Sequence, residues 1–182
     1  LAGYRVFTTF RTADGRTLRG LRILRSDADR GLMVAGGNLL THYNYHRCDA
    51  AIEESADCVH VAVTAADAIS NLDITADLTN ATLPAGSPFA SVREARRFAG
   101  PLPFTFDYER ESDAIVVIKA TRTVWRPAPV AVVVRRLAFF DQPIFSGCTP
   151  ILAAAFHVKH IDYRWERGVR HLPGAAAREM AS

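Results

Sequence analysis

The feature that most constrains the fold of this chain is an alternation of apolar and polar residues that recurs along most of its length. Val59, Val61 and Val63 alternate with more polar neighbours, and the same period of two runs through residues 72–78 and 104–109. A period of two places every second side chain on one face of a β-strand. The pattern predicts a mainly β fold, with some helix (α+β), built from antiparallel strands.

Turn residues between the alternating segments predict hairpins. Asp14-Gly15 supplies the positive φ angles of a tight turn between the segments Tyr4–Arg11 and Thr17–Arg25. These two strands are therefore expected to pair. Further along, the apolar run Val130–Leu137 has the composition of a strand at the centre of a sheet.

A second hairpin is expected between residues 104–109 and 114–124, with Glu111-Ser112-Asp113 at its turn. Alternation places Phe104, Phe106 and Tyr108 on the buried face of the first of these strands. Their polar neighbours are expected to face outward.

One helix is clearly signalled near the middle of the chain. Ser91 and Glu94 have the spacing of a capping box, and Gly100-Pro101 ends the helix. Gly36-Gly37-Asn38 is a turn signal, and the residues after it fit either a strand or a short helix.

The length of 182 residues is that of one domain. We expect a single domain over residues 1–170 and a flexible tail over residues 171–182. Leu1 is not an initiator methionine, and the residues after it do not resemble a signal peptide. The chain is therefore expected to be a fragment or a processed product that lacks an upstream part of the domain, and the family resemblance described below implies that this part is the N-terminal strands.

Composition narrows the function classes. The net charge is +3, and the 22 basic residues are spread among 19 acidic ones, which argues against a nucleic-acid partner. No apolar run reaches the roughly 20 residues that span a bilayer, so no membrane association is expected. Three cysteines without a CxxC spacing fit reduced thiols in a cytoplasm. No nucleotide-binding motif is present, so we expect no cofactor, while a small-molecule ligand and a homo-oligomer are compatible with the sequence.

The segment from Thr41 to His46 is the densest concentration of polar groups in the chain. His42 and His46 are four residues apart, which places them on one side of a helix or a strand, and on a strand Asn44 shares that side. Two imidazoles and the thiol of Cys48 could bind zinc, but no further ligand is evident, so no metal is expected. The remaining alternatives are that these residues line a pocket or that they bond neighbouring strands.

Two basic residues interrupt an apolar strand. Alternation places Lys119 on the face of Ile115 and Val117, where desolvation would prepare its amine to attack a carbonyl. A partly solvated position is the commoner outcome for such a lysine. Arg122 lies on the opposite face and needs a carboxylate, backbone carbonyls or a bound anion.

The segment Ile161–Gly168 interleaves aromatic rings with two arginines and two acids. Such a pattern is typical of an ion-paired strand on which an arginine stacks on a tryptophan. Its functional interpretation is an amphipathic pocket rim that closes over an anion.

Three segments carry a resemblance to a known family: Gly36–Tyr45, Arg93–Phe106 and Phe139–Phe145. In these segments the chain resembles a bacterial domain family of unknown function (YqjF-like) in the acetoacetate decarboxylase-like superfamily. The resemblance covers most of the chain. It implies a partly closed, cone-like antiparallel β-barrel with one or two short helices and a pocket in its mouth. True acetoacetate decarboxylases use an adjacent pair of lysines, one of which forms a Schiff base, and this chain has no Lys-Lys pair.

The leading hypothesis is that the protein binds a small anionic or carbonyl-containing molecule in a barrel pocket. The expected wall residues are His42, Asn44, His46, Arg122 and Trp125. An alternative is a Schiff-base lyase or decarboxylase that uses Lys119 as its catalytic residue. A third is a non-catalytic structural or interaction module, which an exposed apolar patch around Phe139, Phe140 and Phe145 would favour.

Overall fold

A computed structural model describes residues 1–40 and 44–172 of the chain, and the fold is mainly β, as predicted. The helices are α1 (Gly31–Leu40) and α2 (Val92–Ala99), and two short 3-10 turns cover Ala138–Asp141 and Pro143–Phe145. The strands, in chain order, are β1 (Ala2–Arg11), β2 (Thr17–Ala28), β3 (Tyr45–Glu54), β4 (Cys58–Ala65), β5 (Leu72–Asp77), β6 (Phe104–Glu109), β7 (Ala114–Arg122), β8 (Ala128–Pro129), β9 (Ala131–Leu137), β10 (Phe156–His157), β11 (Tyr163–Trp165) and β12 (Val169–His171).

Strand β2 is the hub of the sheet. Its pairing with β1 forms the predicted hairpin and runs along most of both strands. Its other edge is shared, because residues 20–22 pair with β6 and residues 26–28 pair with β3. Both of these pairings are parallel, so the sheet is mixed, and the predicted antiparallel arrangement holds for the other strand pairs of the described residues. A parallel neighbour needs a crossover connection, which α1 helps to provide between β2 and β3.

The remaining strands continue the sheet outward from β3 and from β6, the two strands that share this edge of β2. On one side β3, β4, β5 and β9 follow in antiparallel order. On the other side β6 pairs with β7 as the predicted second hairpin, and the far edge of β7 is shared by β12 and β11. Among the described strands β9 pairs with β5 alone, so this part of the chain does not close into a barrel.

Three local predictions are wrong. Val130–Leu137 was expected at the centre of the sheet, but β9 lies at its edge and Val133 is 62% exposed. Strand propensity records a side chain's fit to a pleated surface and carries no information about its place in the strand order. Gly36-Gly37-Asn38 lies inside α1, where the Asn38 amide bonds the backbone N–H and C=O of Tyr45 at 2.7 and 2.9 Å. These tertiary bonds offset the low helix propensity of the glycines.

The third wrong prediction concerns β6, where burial does not follow the alternation. Phe106 is buried as expected, but Tyr108 is exposed and Glu109 is buried. Glu109 lies against β12, from which Arg170 donates two hydrogen bonds to its carboxylate at 2.6 and 2.8 Å. This bidentate, charge-assisted pair offsets the free-energy cost of burying the carboxylate.

The predicted helix forms as α2. The backbone N–H of Glu94 donates to Ser91 Oγ at 3.2 Å, and the helix ends at Gly100. Phe98 packs on Phe7 of β1 and on Phe89, which attaches the helix to the sheet. None of the described helices is long and apolar enough to cross a membrane.

The close approach of β2 to β6 depends on a glycine. A Cβ at Gly20 would lie 2.3 Å from the backbone oxygen of Phe104 and 2.7 Å from the ring of Phe106. We expect Gly20→Ala to lower the free energy of unfolding by about 3 kcal/mol, since the backbone has to move to relieve the overlap. Urea denaturation measures this difference. As the control, Gly36→Ala meets nothing within 4 Å and should leave stability equal or higher; a similar loss in both variants would contradict the packing argument.

Candidate functional site

A cavity of about 510 Å³ lies beside β2 and is lined by residues of β2, of β3 and of β7. Its volume is within the range of small-molecule sites. Four kinds of segment build it: the hairpin β1–β2, helix α1 with the start of β3, strand β7, and the connection from β11 to β12. The lining residues are Leu1, Arg5, Ile23, Ser26, Met33, Tyr45, Ile118, Trp165, Glu166, Arg167 and Gly168.

A β-bulge in β2 determines which of its side chains face the cavity. Tyr4 lies opposite Arg25, but the next residue, Arg5, lies opposite Ile23, so Leu24 is the extra residue. A bulge reverses the order of faces along a strand. Ile23 and Ser26 can therefore both line the cavity although they are three residues apart. Arg5 faces the cavity beside its cross-strand partner Ile23.

Asn44 supports this bulge from the neighbouring strand. The side-chain amide of Asn44 donates to the backbone carbonyl oxygen of Leu24 at 3.1 Å. The backbone carbonyl oxygen of Asn44 accepts a hydrogen bond from the N–H of Ser26, also at 3.1 Å. The backbone of Asn44 has a φ of 49°, a left-handed conformation that asparagine tolerates better than most residues. Asn44 thus satisfies the backbone on both sides of the extra residue.

His46 links this support to a buried ion-pair network. One ring nitrogen of His46 lies 3.0 Å from Asn44 Oδ1, and the other lies 3.8 Å from the carboxylate of Asp67. Arg25 donates two hydrogen bonds to Asp67, at 2.8 and 2.9 Å, and a third to Asp27 at 2.8 Å. Asn44 and His46, both predicted as pocket wall, are therefore brought together behind the cavity.

The network sets the electrostatics of the region behind the cavity. Hydrogen bonds from Arg25 hold the pKa of Asp67 below its ordinary value. Burial, followed by the charge of Asp27, raises the pKa of Tyr4 to about 12, and the Tyr4 hydroxyl donates to the backbone oxygen of Ser70 at 2.8 Å. The same two causes raise the pKa of the Cys48 thiol, which keeps it protonated and makes it a poor metal ligand.

The segment Trp165–Gly168 forms the opposite wall. Two contacts with Lys119 of β7 hold it: the N–H of Glu166 donates to the Lys119 carbonyl at 2.8 Å, and the two side chains form an ion pair at 3.0 Å. Gly168 lies so close to Val116 that a Cβ would approach its side chain to 2.9 Å. The predicted pocket rim is therefore part of a cavity wall.

Lys119 does not have the environment that amine catalysis requires. Its side chain is 47% exposed, and its ammonium is paired with Glu166. The strand alternation correctly predicts its face, but that face is in contact with water at this point.

Arg122 and Trp125 form a separate contact at the end of β7. The guanidinium of Arg122 lies 4.7 Å from the centroid of the Trp125 ring and donates to the carbonyl of Leu102 at 3.3 Å. A cation over an aromatic face is a stabilising arrangement that needs no ligand. Arg122 was expected to pair with a carboxylate, with backbone carbonyls or with a bound anion. The carbonyl of Leu102 is a partner of the second kind.

The sequence-predicted site residues therefore divide into separate groups. In the part of the chain that the structure describes, the cavity lining includes none of Asn44, His46, Lys119, Arg122 and Trp125. His42 lies outside the described residues, and its place in a wall stays a prediction. No cluster of three His, Cys, Asp or Glu side chains in a metal-binding arrangement occurs within residues 1–40 and 44–172.

Arg5, Ser26 and Tyr45 are lining residues that sequence reasoning missed. Arg5 belongs to an alternating strand, and alternation predicts which residues are buried but not which charged residue faces a cavity. Tyr45 lies within the polar segment that was singled out, one residue from the predicted wall residues. The ion pair of Arg25 with Asp67 carried no sequence signal, because 42 residues separate the partners.

Comparison of the chain with protein-family models, with curated proteins and with solved structures finds no match.

Replacement of Arg25 tests the network. Arg25→Met leaves the fully buried Asp27 carboxylate without its cation, and no described group donates to Asp27 Oδ2. We expect a loss of about 3 kcal/mol or more in the free energy of unfolding, measured by urea denaturation. Arg16→Met, which breaks an exposed pair with Asp14, is the matched control and should cost less than about 1 kcal/mol. Equal losses in the two variants would contradict the proposed importance of the network.

Acid should remove the contribution of Asp67 to stability. Because its folded-state pKa is lowered, the stabilisation is complete above the unfolded value of about 3.9 and is lost as the pH falls through the folded value. The natural chain should be more stable than Asp67→Asn near neutral pH. The two should converge as the pH falls below about 4 and through the lowered folded value, where Asp67 becomes neutral like the asparagine. Denaturation curves across the pH range measure the gap, and a gap independent of pH would overturn the assignment.

Proposed function

We propose that the protein binds a small anionic organic molecule, carbonyl-containing compounds included, in the cavity beside the bulge of β2. The observation that carries the proposal is that two arginines line the cavity, Arg5 from β1 and Arg167 from the connection between β11 and β12. Neither guanidinium has a carboxylate or carbonyl partner among the described residues. Guanidinium groups bind carboxylates through paired, charge-assisted hydrogen bonds.

The charge balance of the lining supports an anionic ligand. Glu166 is the acidic residue in the lining, and its carboxylate is already paired with Lys119 at 3.0 Å. The charges of Arg5 and Arg167 are therefore left uncompensated in a concave site. Such a site raises the local concentration of anions.

The wider proposal is that the chain has the acetoacetate decarboxylase-like architecture, in which its sheet is part of a cone-like barrel. The mainly β fold and a cavity between strands support it. The ligand, in that arrangement, enters at the mouth of the cone.

The two other hypotheses have less support. Schiff-base catalysis at Lys119 requires a desolvated amine, whereas the amine is exposed and ion-paired. An interaction module built on an aromatic patch requires exposed rings. Phe139 is instead buried and stacks on Tyr4 with 4.1 Å between ring centroids, and Phe145 packs on Phe139 at 5.5 Å.

Isothermal titration calorimetry with octanoate and with its neutral analogue octanamide tests the proposal. Octanoate should bind more tightly than octanamide. Arg5→Gln and Arg167→Gln should each weaken octanoate about tenfold without changing octanamide, because each removes one charge-assisted contact.

Arg16→Gln is the control for this titration, since Arg16 lies at the β1–β2 turn and is paired with Asp14 outside the cavity. It should leave both affinities unchanged. Equal affinities of octanoate and octanamide for the natural chain would refute an anion site. Equal effects of Arg16→Gln and Arg5→Gln would show that the charge acts at long range and not in the cavity.

A further inference from the structure

The size of the cavity limits what can fill it. Its volume is about 510 Å³, whereas a water molecule in the liquid takes about 30 Å³, so the space equals that of roughly 17 waters. Acetoacetate has about seven non-hydrogen atoms, each needing no more room than a water, and would therefore leave more than half of the cavity unfilled. Specific small-molecule sites bury most of the surface of their ligand.

The walls away from the arginines are apolar and partly open to water. Ile23 of β2, Ile118 of β7, Met33 of α1 and Trp165 of β11 line the cavity. Met33 is 42% exposed and Trp165 is 49% exposed. An apolar ligand that covers these side chains removes their surface from water. Methionine also adapts its shape to different apolar partners.

We infer that the cavity takes an alkyl or aryl carboxylate with an apolar body of about eight or more carbon atoms, and that a four-carbon acid is a poor ligand for it. This inference rests on the proposed anion site. The carboxylate lies at Arg5 and Arg167, and the apolar body lies along Ile23, Ile118, Met33 and Trp165.

A chain-length series tests the inference separately from the anion site. Calorimetric titration with butyrate, hexanoate, octanoate and decanoate should show affinity rising with length. Full burial of one methylene is worth about 0.8 kcal/mol, or about fourfold in affinity. Because the cavity is partly open, we expect each two-carbon step to give about tenfold, until the cavity is filled.

Two variants separate the contributions of charge and of apolar contact. Arg5→Gln should weaken every member of the series by the same factor, since all carry the same carboxylate. Met33→Ala should weaken octanoate and decanoate several-fold and leave butyrate unchanged. Because Met33 is exposed, the substitution should leave the protein folded. Val133→Ala, an exposed apolar position on β9 outside the cavity lining, is the control and should change nothing.

The outcomes distinguish the two proposals. A flat dependence on length, with octanoate still preferred over octanamide, would overturn the apolar site and leave the anion site intact. A rising series in which octanamide binds as tightly as octanoate would refute the anion site, and the inference that rests on it. Equal effects of Met33→Ala and Val133→Ala would place the alkyl chain outside the cavity. A length dependence that Met33→Ala reduces and Val133→Ala does not would support the inference.

Discussion

The region around the cavity depends on the ion pairs of the buried Arg25 guanidinium. It bonds Asp27 on its own strand and Asp67 on the connection between β4 and β5, at 2.8 to 2.9 Å. A buried arginine without such partners would be strongly unfavourable. The chain is therefore constrained to bring the β4–β5 connection against the end of β2, and this fixes where β3 and β4 lie.

The bulge at Leu24 separates the side chains of β2 that join the ion-pair network from those that form the cavity wall. One residue beyond the bulge, Arg25 and Tyr4 are directed into the polar network, while Arg5 and Ile23 before it face the cavity. A regular strand would put Ile23 and Arg25 on the same face. The extra residue therefore separates a charged, structural side of β2 from a side open to a ligand, and Asn44 compensates the backbone groups that the bulge leaves unpaired.

The polar segment before β3 has a supporting position in this arrangement. Asn44 and His46 bond each other and the groups behind the cavity, and Tyr45 between them faces the cavity itself. Lys119 acts in a similar way on the opposite wall, because its partner Glu166 belongs to the lining. Buried and half-buried polar groups must find partners, so a dense polar segment is as well suited to supporting a wall as to forming one.

The local elements follow from the sequence alone: the β class, both hairpins, the capped helix α2 and the amphipathic character of residues 161–168. Each of these follows from spacing or capping within about ten residues, where the physics is local. The parallel neighbours of β2, the edge position of β9 and the side of β2 that faces the cavity follow instead from the tertiary structure. The approach of β2 to β6 depends on the contact of Gly20 with Phe104, and the position of the β4–β5 connection depends on the ion pair of Arg25 with Asp67. Such contacts join distant parts of the chain, and neither partner carries a local mark of the other.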